Sequence, residues 1–236
     1  MNRNFFRIFI AVIAIVVPVI LLANGIYGSF IFTFSIPLLW QITYLNESPF
    51  SLGFRKKSLS ISIIYGIISG SVLGVAGGLT FKLFGLTGRS LMNSQSLIFS
   101  LGSIQIEFSL AKELGYRLLT NSSSIGGLAV YFLFSLLLIG LGEEIFWRGF
   151  IQRKIANKVK TPLAISITAV LFGLLHSYIF VVVTISQGIV LIILIGVAGA
   201  IWGYLYEKTN NIWSVAVSHG IAALIIWKYF FFAGVM

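Results

Sequence analysis

Residues 125–150 read IGGLAVYFLFSLLLIGLGEEIFWRGF: an unbroken apolar run from Ile125 to Gly142 ends on two adjacent carboxylates, Glu143 and Glu144, and Arg148 follows four residues after the second. A helix needs about 20 apolar residues to cross a bilayer, so this run reads as most of a membrane span. A charged side chain at the bilayer centre costs roughly 2.5–3.5 kcal/mol on insertion scales; such groups face a bundle interior or a watered cavity and mark function. The chain's two histidines, His176 and His219, lie in two later apolar segments. Two carboxylates, an arginine and two imidazoles within apolar spans make a candidate active site.

The composition fixes the solvent. Of 236 residues 58% are hydrophobic and 9% charged, with a mean hydropathy of +1.02, against about 25% charged in soluble domains. The chain is therefore an integral membrane protein, expected as a multi-pass protein of the cell membrane. All six acidic residues are Glu, and the net charge of +10 comes from basic residues gathered between the apolar segments. That distribution fits cytoplasmic loops and anionic headgroups and argues against a nucleic-acid partner, because no basic domain lies outside the spans. The absence of cysteine excludes disulfides, thiolate metal sites and a cysteine nucleophile.

Apolar stretches run over Ile8–Ala23, Ile26–Leu45, Leu59–Phe81, Ile125–Phe150, Pro162–Phe180, Gln187–Tyr206 and Ile212–Phe231. The fold class expected is all-α, a polytopic membrane helix bundle of about seven to eight transmembrane helices. The first stretch follows Arg3 and Arg7 and lacks a small-residue cleavage site, so it reads as a retained helix. Leu97–Ala111 is short and interrupted by Ser100, Ser103, Gln105 and Glu107; it is expected to lie in the interface or dip in without crossing. With seven spans the N-terminus, Arg55-Lys56-Lys57 and the cluster Arg153, Lys154, Lys158 and Lys160 all fall on the cytoplasmic side, while Lys82, Arg89, Lys112 and Arg117 sit outside against the rule. Gly66, Gly70, Gly74 and Gly78 form a stripe at four-residue spacing, repeated by Gly199 and Gly203. Such stripes serve close helix packing within a fold, with self-association or a substrate helix as the other uses. Residues 1–96 carry no recognised signature, residues 97–236 carry the candidate site, and the whole reads as one integrated membrane domain.

Helix rise places Glu143, His176 and His219 at depths of about 16, 22 and 12 Å from the basic turns, all within the hydrocarbon core. Peptide hydrolysis would use such a set. A carboxylate takes a proton from water, an imidazole orients that water or protonates the leaving amine, and another donor stabilises the oxyanion. Arg148, on the same helix face as Glu144, can hold that carboxylate ionised, leaving Glu143 as the base. A helix-end ion pair is the structural alternative for Glu144 and Arg148, and a hydrogen-bonding core role is the alternative for either histidine. Glu143, His176 and His219 could also hold Zn²⁺ with an open water position, and spacing does not decide between a metal and a metal-free glutamate mechanism.

Glu143-Glu144-Ile145-Phe146-Trp147-Arg148 resembles the EExxxR signature of the CAAX-protease and bacteriocin-processing (CPBP, or Abi) intramembrane endopeptidases. Phe172-Gly173-Leu174-Leu175-His176 resembles their FxxxH motif, and Gly199 to His219 their third region. The resemblance spans about Ile125 to Trp227. It implies that Glu143 activates water with His176, that His219 serves the oxyanion or supports the site, and that Glu144 and Arg148 fix the geometry. Implied substrates are prenylated C-termini, leader peptides or membrane regulatory proteins, with leader peptides and regulatory proteins favoured here because no organelle signal is seen. One departure stands out: the third motif usually reads HxxxN or HxxxD, and the position four after His219 is Ala223. Asn210, Asn211 or Ser218 are the candidates to replace the missing group. A non-catalytic membrane protein of bacteriocin self-immunity or signalling, and a proton-coupled transporter, are the rival readings.

Overall fold

The computed structural model describes residues 48–56, 58–85, 97–101, 104–108, 133, 135–181 and 183–226. The expected spans Ile8–Ala23 and Ile26–Leu45 lie outside the described residues. A short 3₁₀ turn, Pro49–Leu52, precedes α1 (Leu59–Leu83), the strands β1 (Leu97–Leu101) and β2 (Ile104–Phe108), and then the C-terminal helices. Of these, α2 (135–156) is a composite: a π-helical segment Ser135–Gly142, the two glutamates, a second π-helical segment Ile145–Gln152, and a closing α-turn Arg153–Ala156. After it come α3 (Thr161–Leu175) with a 3₁₀ extension His176–Val181, α4 (Ile185–Thr209) and α5 (Ile212–Ile225).

The stretch Leu97–Ala111, expected to lie in the interface or dip in without crossing, contains two strands where the fold class expected was all-α. They pair antiparallel, Leu97 opposite Phe108 and Leu101 opposite Ile104. The reason is visible in Ile104-Gln105-Ile106-Glu107-Phe108, whose apolar and polar residues alternate with the period of a strand, after a Gly102-Ser103 turn signal.

The helices are turned inside out relative to a water-soluble bundle. On α1 the buried residues are Ser62, Gly66, Gly70, Gly74 and Gly78, while Ile61, Ile64, Ile68, Val72, Val75 and Leu79 are exposed. Large apolar side chains facing outward and small ones facing inward suit a lipid solvent, where helix association depends on close packing and not on hydrophobic burial. At 25 residues each, α1 and α4 are long and apolar enough to cross a bilayer. The α1 stripe is filled by α5: a Cβ on Gly66 would stand 2.7 Å from the Ser214 carbonyl oxygen, and one on Gly70 2.5 Å from that of Ser218. Packing within the fold thus accounts for the stripe.

Local chemistry sets the joints. Thr184 caps α4 in a reciprocal box with Gln187, each contributing a side-chain oxygen to the other's backbone N–H. Asn210 ends α4 in the left-handed conformation at φ 47°, and Asn211 starts α5 by accepting the Trp213 N–H at 3.2 Å. Asn211 also donates to the Arg55 carbonyl at 2.9 Å, and the Ile212 N–H reaches the Gly53 carbonyl at 2.9 Å. The segment 48–56 is thereby pinned across the end of the bundle where α2 finishes and α5 begins. Leu52 seals it, fully buried against Gly149 of α2.

Candidate active site

The two π-helical stretches of α2 flank the glutamates. A π turn bonds residue i to i+5, so it is wider than an α turn, and such turns are frequent at functional sites. Here the wide turns carry a polar ladder of Glu144, Arg148 and Gln152, all fully buried. Arg148 Nη1 donates to Glu144 Oε1 at 2.9 Å, and Arg148 Nη2 to the Gly199 carbonyl of α4 at 2.8 Å. One turn on, Gln152 Nε2 donates to the Gly203 carbonyl at 3.1 Å and to Glu207 Oε1 at 2.9 Å. Gly199 and Gly203 have no side chain to keep the ladder away from their carbonyls. A Cβ on Gly203 would fall 2.7 Å from Gln152 Oε1, and one on Gly199 3.0 Å from the Phe172 ring.

Glu144 Oε1 also meets His219 Nδ1 at 2.8 Å. An ionised carboxylate only accepts, so Nδ1 carries the proton. His219 stacks on Trp202 with ring centroids 4.0 Å apart and planes 22° apart. Trp202 Nε1 donates to Ser218 Oγ at 2.9 Å. On α3, His176 Nδ1 lies 2.8 Å from the Phe172 carbonyl; a carbonyl also only accepts, which leaves the ring lone pair on Nε2. Phe172 is the hub between these groups, edge-on to His176 at 4.9 Å, to Trp202 at 6.0 Å and to His219 at 6.1 Å, with the Arg148 guanidinium 4.8 Å from its ring centre.

Glu143 differs from its neighbour. Oε2 of both glutamates is buried without a hydrogen-bond partner among the described residues, but Glu144 has its Oε1 bound to Arg148 and His219, whereas Glu143 lies within electrostatic reach of His176. Glu143 and His219 each keep 8% of their surface, whereas Glu144 and Arg148 keep none. Glu143, His219 and the partly exposed His176 thus retain access for a reactant, and Glu144 and Arg148 brace them. All five candidates picked from the sequence, Glu143, Glu144, Arg148, His176 and His219, gather around Phe172 and the middle of α2.

Residues 125–225 match the family described as type II CAAX prenyl endopeptidase, Rce1-like. Over that segment, less than half of the chain, the sequence is similar to the CAAX protease family. That family is membrane-embedded and proteolytic, and the matched segment takes in α2 to α5 while leaving out α1. No curated protein and no solved structure matches the chain.

The structure also bears on the candidates to replace the missing group. Asn210 and Asn211 do not stand in for the amide missing at Ala223, because one terminates α4 in an exposed turn and the other is committed to capping α5 and holding Arg55. Ser218 is occupied by Trp202. For Zn²⁺, the described residues contain no group of three His, Asp or Glu side chains arranged to hold an ion. Glu143, His176 and His219 do not form a three-ligand cage as they stand, with His219 Nδ1 turned to Glu144. Trp202 and Gln152 are parts of the site that the sequence reading misses; the one available signal is the matching four-residue spacing of Arg148–Gln152 and Gly199–Gly203.

Proposed function

We propose that the chain is an intramembrane endopeptidase that hydrolyses peptide bonds of membrane-associated substrates with a side-chain-activated water. Glu143 is the base. The observation that carries this is the division of labour within the acidic pair: Glu144 is fully buried with its Oε1 held by both Arg148 and His219, while Glu143 forms no salt bridge among the described residues and keeps 8% of its surface open to a reactant.

Glu143 takes one proton from water, and the water oxygen attacks the scissile carbonyl carbon. His176 Nε2 accepts the other hydrogen of that water and fixes the line of attack. The carbonyl π electrons move to oxygen, and His219, when protonated on both nitrogens, donates from Nε2 to that oxyanion. Collapse of the intermediate breaks the C–N bond, and the proton held by Glu143 passes to the leaving amine. Glu144 and Arg148 touch no substrate in this scheme; they hold His219 in place. The protein is taken as multi-pass in the cell membrane, with peptides at its cytoplasmic side as substrates: prenylated C-termini, as the family description names, or leader and regulatory peptides.

The purified chain in liposomes, given fluorogenic peptides with and without a prenyl group, tests this. Wild type cleaves; Glu143→Gln, which keeps shape and removes charge, loses at least about a thousandfold in turnover, a loss in line with removal of a base that supplies most of the acid–base term. Cleavage by wild type is expected to survive metal chelators. Loss on chelation with recovery on Zn²⁺ would instead make Glu143, His176 and His219 ligands. Ala223 supports a second reading, a non-catalytic immunity or signalling protein. It predicts no cleavage of any peptide and full biological activity for Glu143→Gln. A proton-coupled transporter predicts substrate-driven proton uptake in the same liposomes.

A further inference from the structure

The stacked pair His219 and Trp202 is held from outside the segment matched to the family. Trp202 Nε1 donates to Ser218 Oγ at 2.9 Å, and Ser218 Oγ lies 2.9 Å from Ser69 Oγ on α1. Ser69 is 149 positions from Ser218 in sequence, and it can come so close because Gly66 and Gly70 let the α1 backbone lie against α5. Ser69 Oγ also lies 2.6 Å from the Tyr65 carbonyl of its own helix. A hydroxyl that only back-bonds to its helix needs no partner across the interface. This one has a partner, and that partner holds the indole on which a site histidine stacks.

We infer that Ser69 is a positioning residue for His219, acting through Ser218 and Trp202, so that α1 belongs to the catalytic scaffold; the inference rests on the proteolytic reading for its effect on turnover. The indole plane fixes one rotational degree of freedom of the imidazole, and the Glu144 contact at Nδ1 fixes the direction of the other nitrogen. Edge-on packing against Phe172 restrains the indole, and its N–H is anchored by Ser218, itself paired with Ser69 on a second helix. Freeing the pair lets the indole and imidazole tilt together. A displacement of about 1 Å at a reacting group costs up to roughly a hundredfold in rate.

The test is a cycle of Ser69→Ala, Ser69→Thr, Trp202→Phe and the double variant Ser69→Ala/Trp202→Phe in the liposome assay, with thermal melting to confirm folding. Ser69→Ala is expected to lower kcat about tenfold with KM unchanged, Ser69→Thr to restore it, and the double variant to be no slower than Trp202→Phe alone, since both break one tether. Multiplying losses, or a wild-type kcat in Ser69→Ala, would overturn the relay. A second reading needs no turnover. Diethyl pyrocarbonate modifies imidazoles, and mass spectrometry separates the chain's two histidines. Ser69→Ala should change the rate at His219 several-fold and leave His176 unchanged; equal rates at His219 in wild type and variant would sink the inference even if the chain cleaves nothing. An inactive wild type with the expected His219 change would instead overturn the proteolytic reading alone.

Discussion

Glu143 and Glu144 are neighbours in the chain and opposites in the fold. Glu144 neutralises a guanidinium with no exposed surface, so its loss strands a buried charge, which typically costs about 3–5 kcal/mol. Glu143 forms no salt bridge among the described residues and keeps some exposed surface, so neutralising it strands no bonded partner. Glu144→Gln should therefore lower the melting temperature sharply, and Glu143→Gln should hold or raise it while abolishing cleavage. Equal melting temperatures for the two variants would contradict the roles assigned to them. Two buried indoles among the described residues give a similar contrast. Trp147 Nε1 has no partner among the described residues and Trp202 Nε1 has Ser218. Changing either to Phe removes one N–H and some volume. Trp202→Phe additionally breaks a hydrogen bond worth about 0.5–1.5 kcal/mol and should be the less stable of the pair by denaturation. Arg148→Lys is no conservative change, because an ammonium cannot span Glu144 and the Gly199 carbonyl as the planar fork does.

At the level of elements, α2 and α4 are joined by polar side chains of one helix bonding to bare carbonyls of the other. The i, i+4 relation of Glu144 and Arg148 was legible in the sequence; their bond to α4 was not, since Arg148 and Gly199 lie 51 positions apart. Gly199 and Gly203 read as a packing stripe, and their use as landing points for Arg148 and Gln152 emerges only when the helices are side by side. Gly203→Ala puts a methyl 2.7 Å from Gln152 Oε1, an overpacking that costs about 1–3 kcal/mol. Combining it with Gln152→Ala should recover part of that loss, a coupling a double-mutant cycle would measure. The strands β1 and β2 carry a further lesson. Ile104, Ile106 and Phe108 alternate with Gln105 and Glu107, a strand period legible in the sequence itself.

Across the whole molecule, the packing of segment 48–56 against α2, α4 and α5 brings Arg55 and Lys56 to the end of the bundle where Arg153, Lys154 and Lys158 emerge, and all five are exposed. Both basic clusters therefore lie at one end of the bundle, the arrangement that charge bias predicts for two cytoplasmic loops. The chain has no cysteine, so Lys56→Cys and Lys158→Cys can be labelled singly with a membrane-impermeant maleimide. Both should react in inside-out vesicles and neither in intact cells; opposite sidedness would refute this arrangement. Composition and pattern alone determined the solvent, the helical class and the five ionisable residues, because a bilayer tolerates charge only where it is used, and because EExxxR and FxxxH are local motifs. What only the tertiary structure decided was which glutamate is occupied, what fixes each imidazole, and that α1 reaches the site. Those facts depend on which atoms of distant helices come within hydrogen-bond reach, and sequence spacing along one helix carries no such distance.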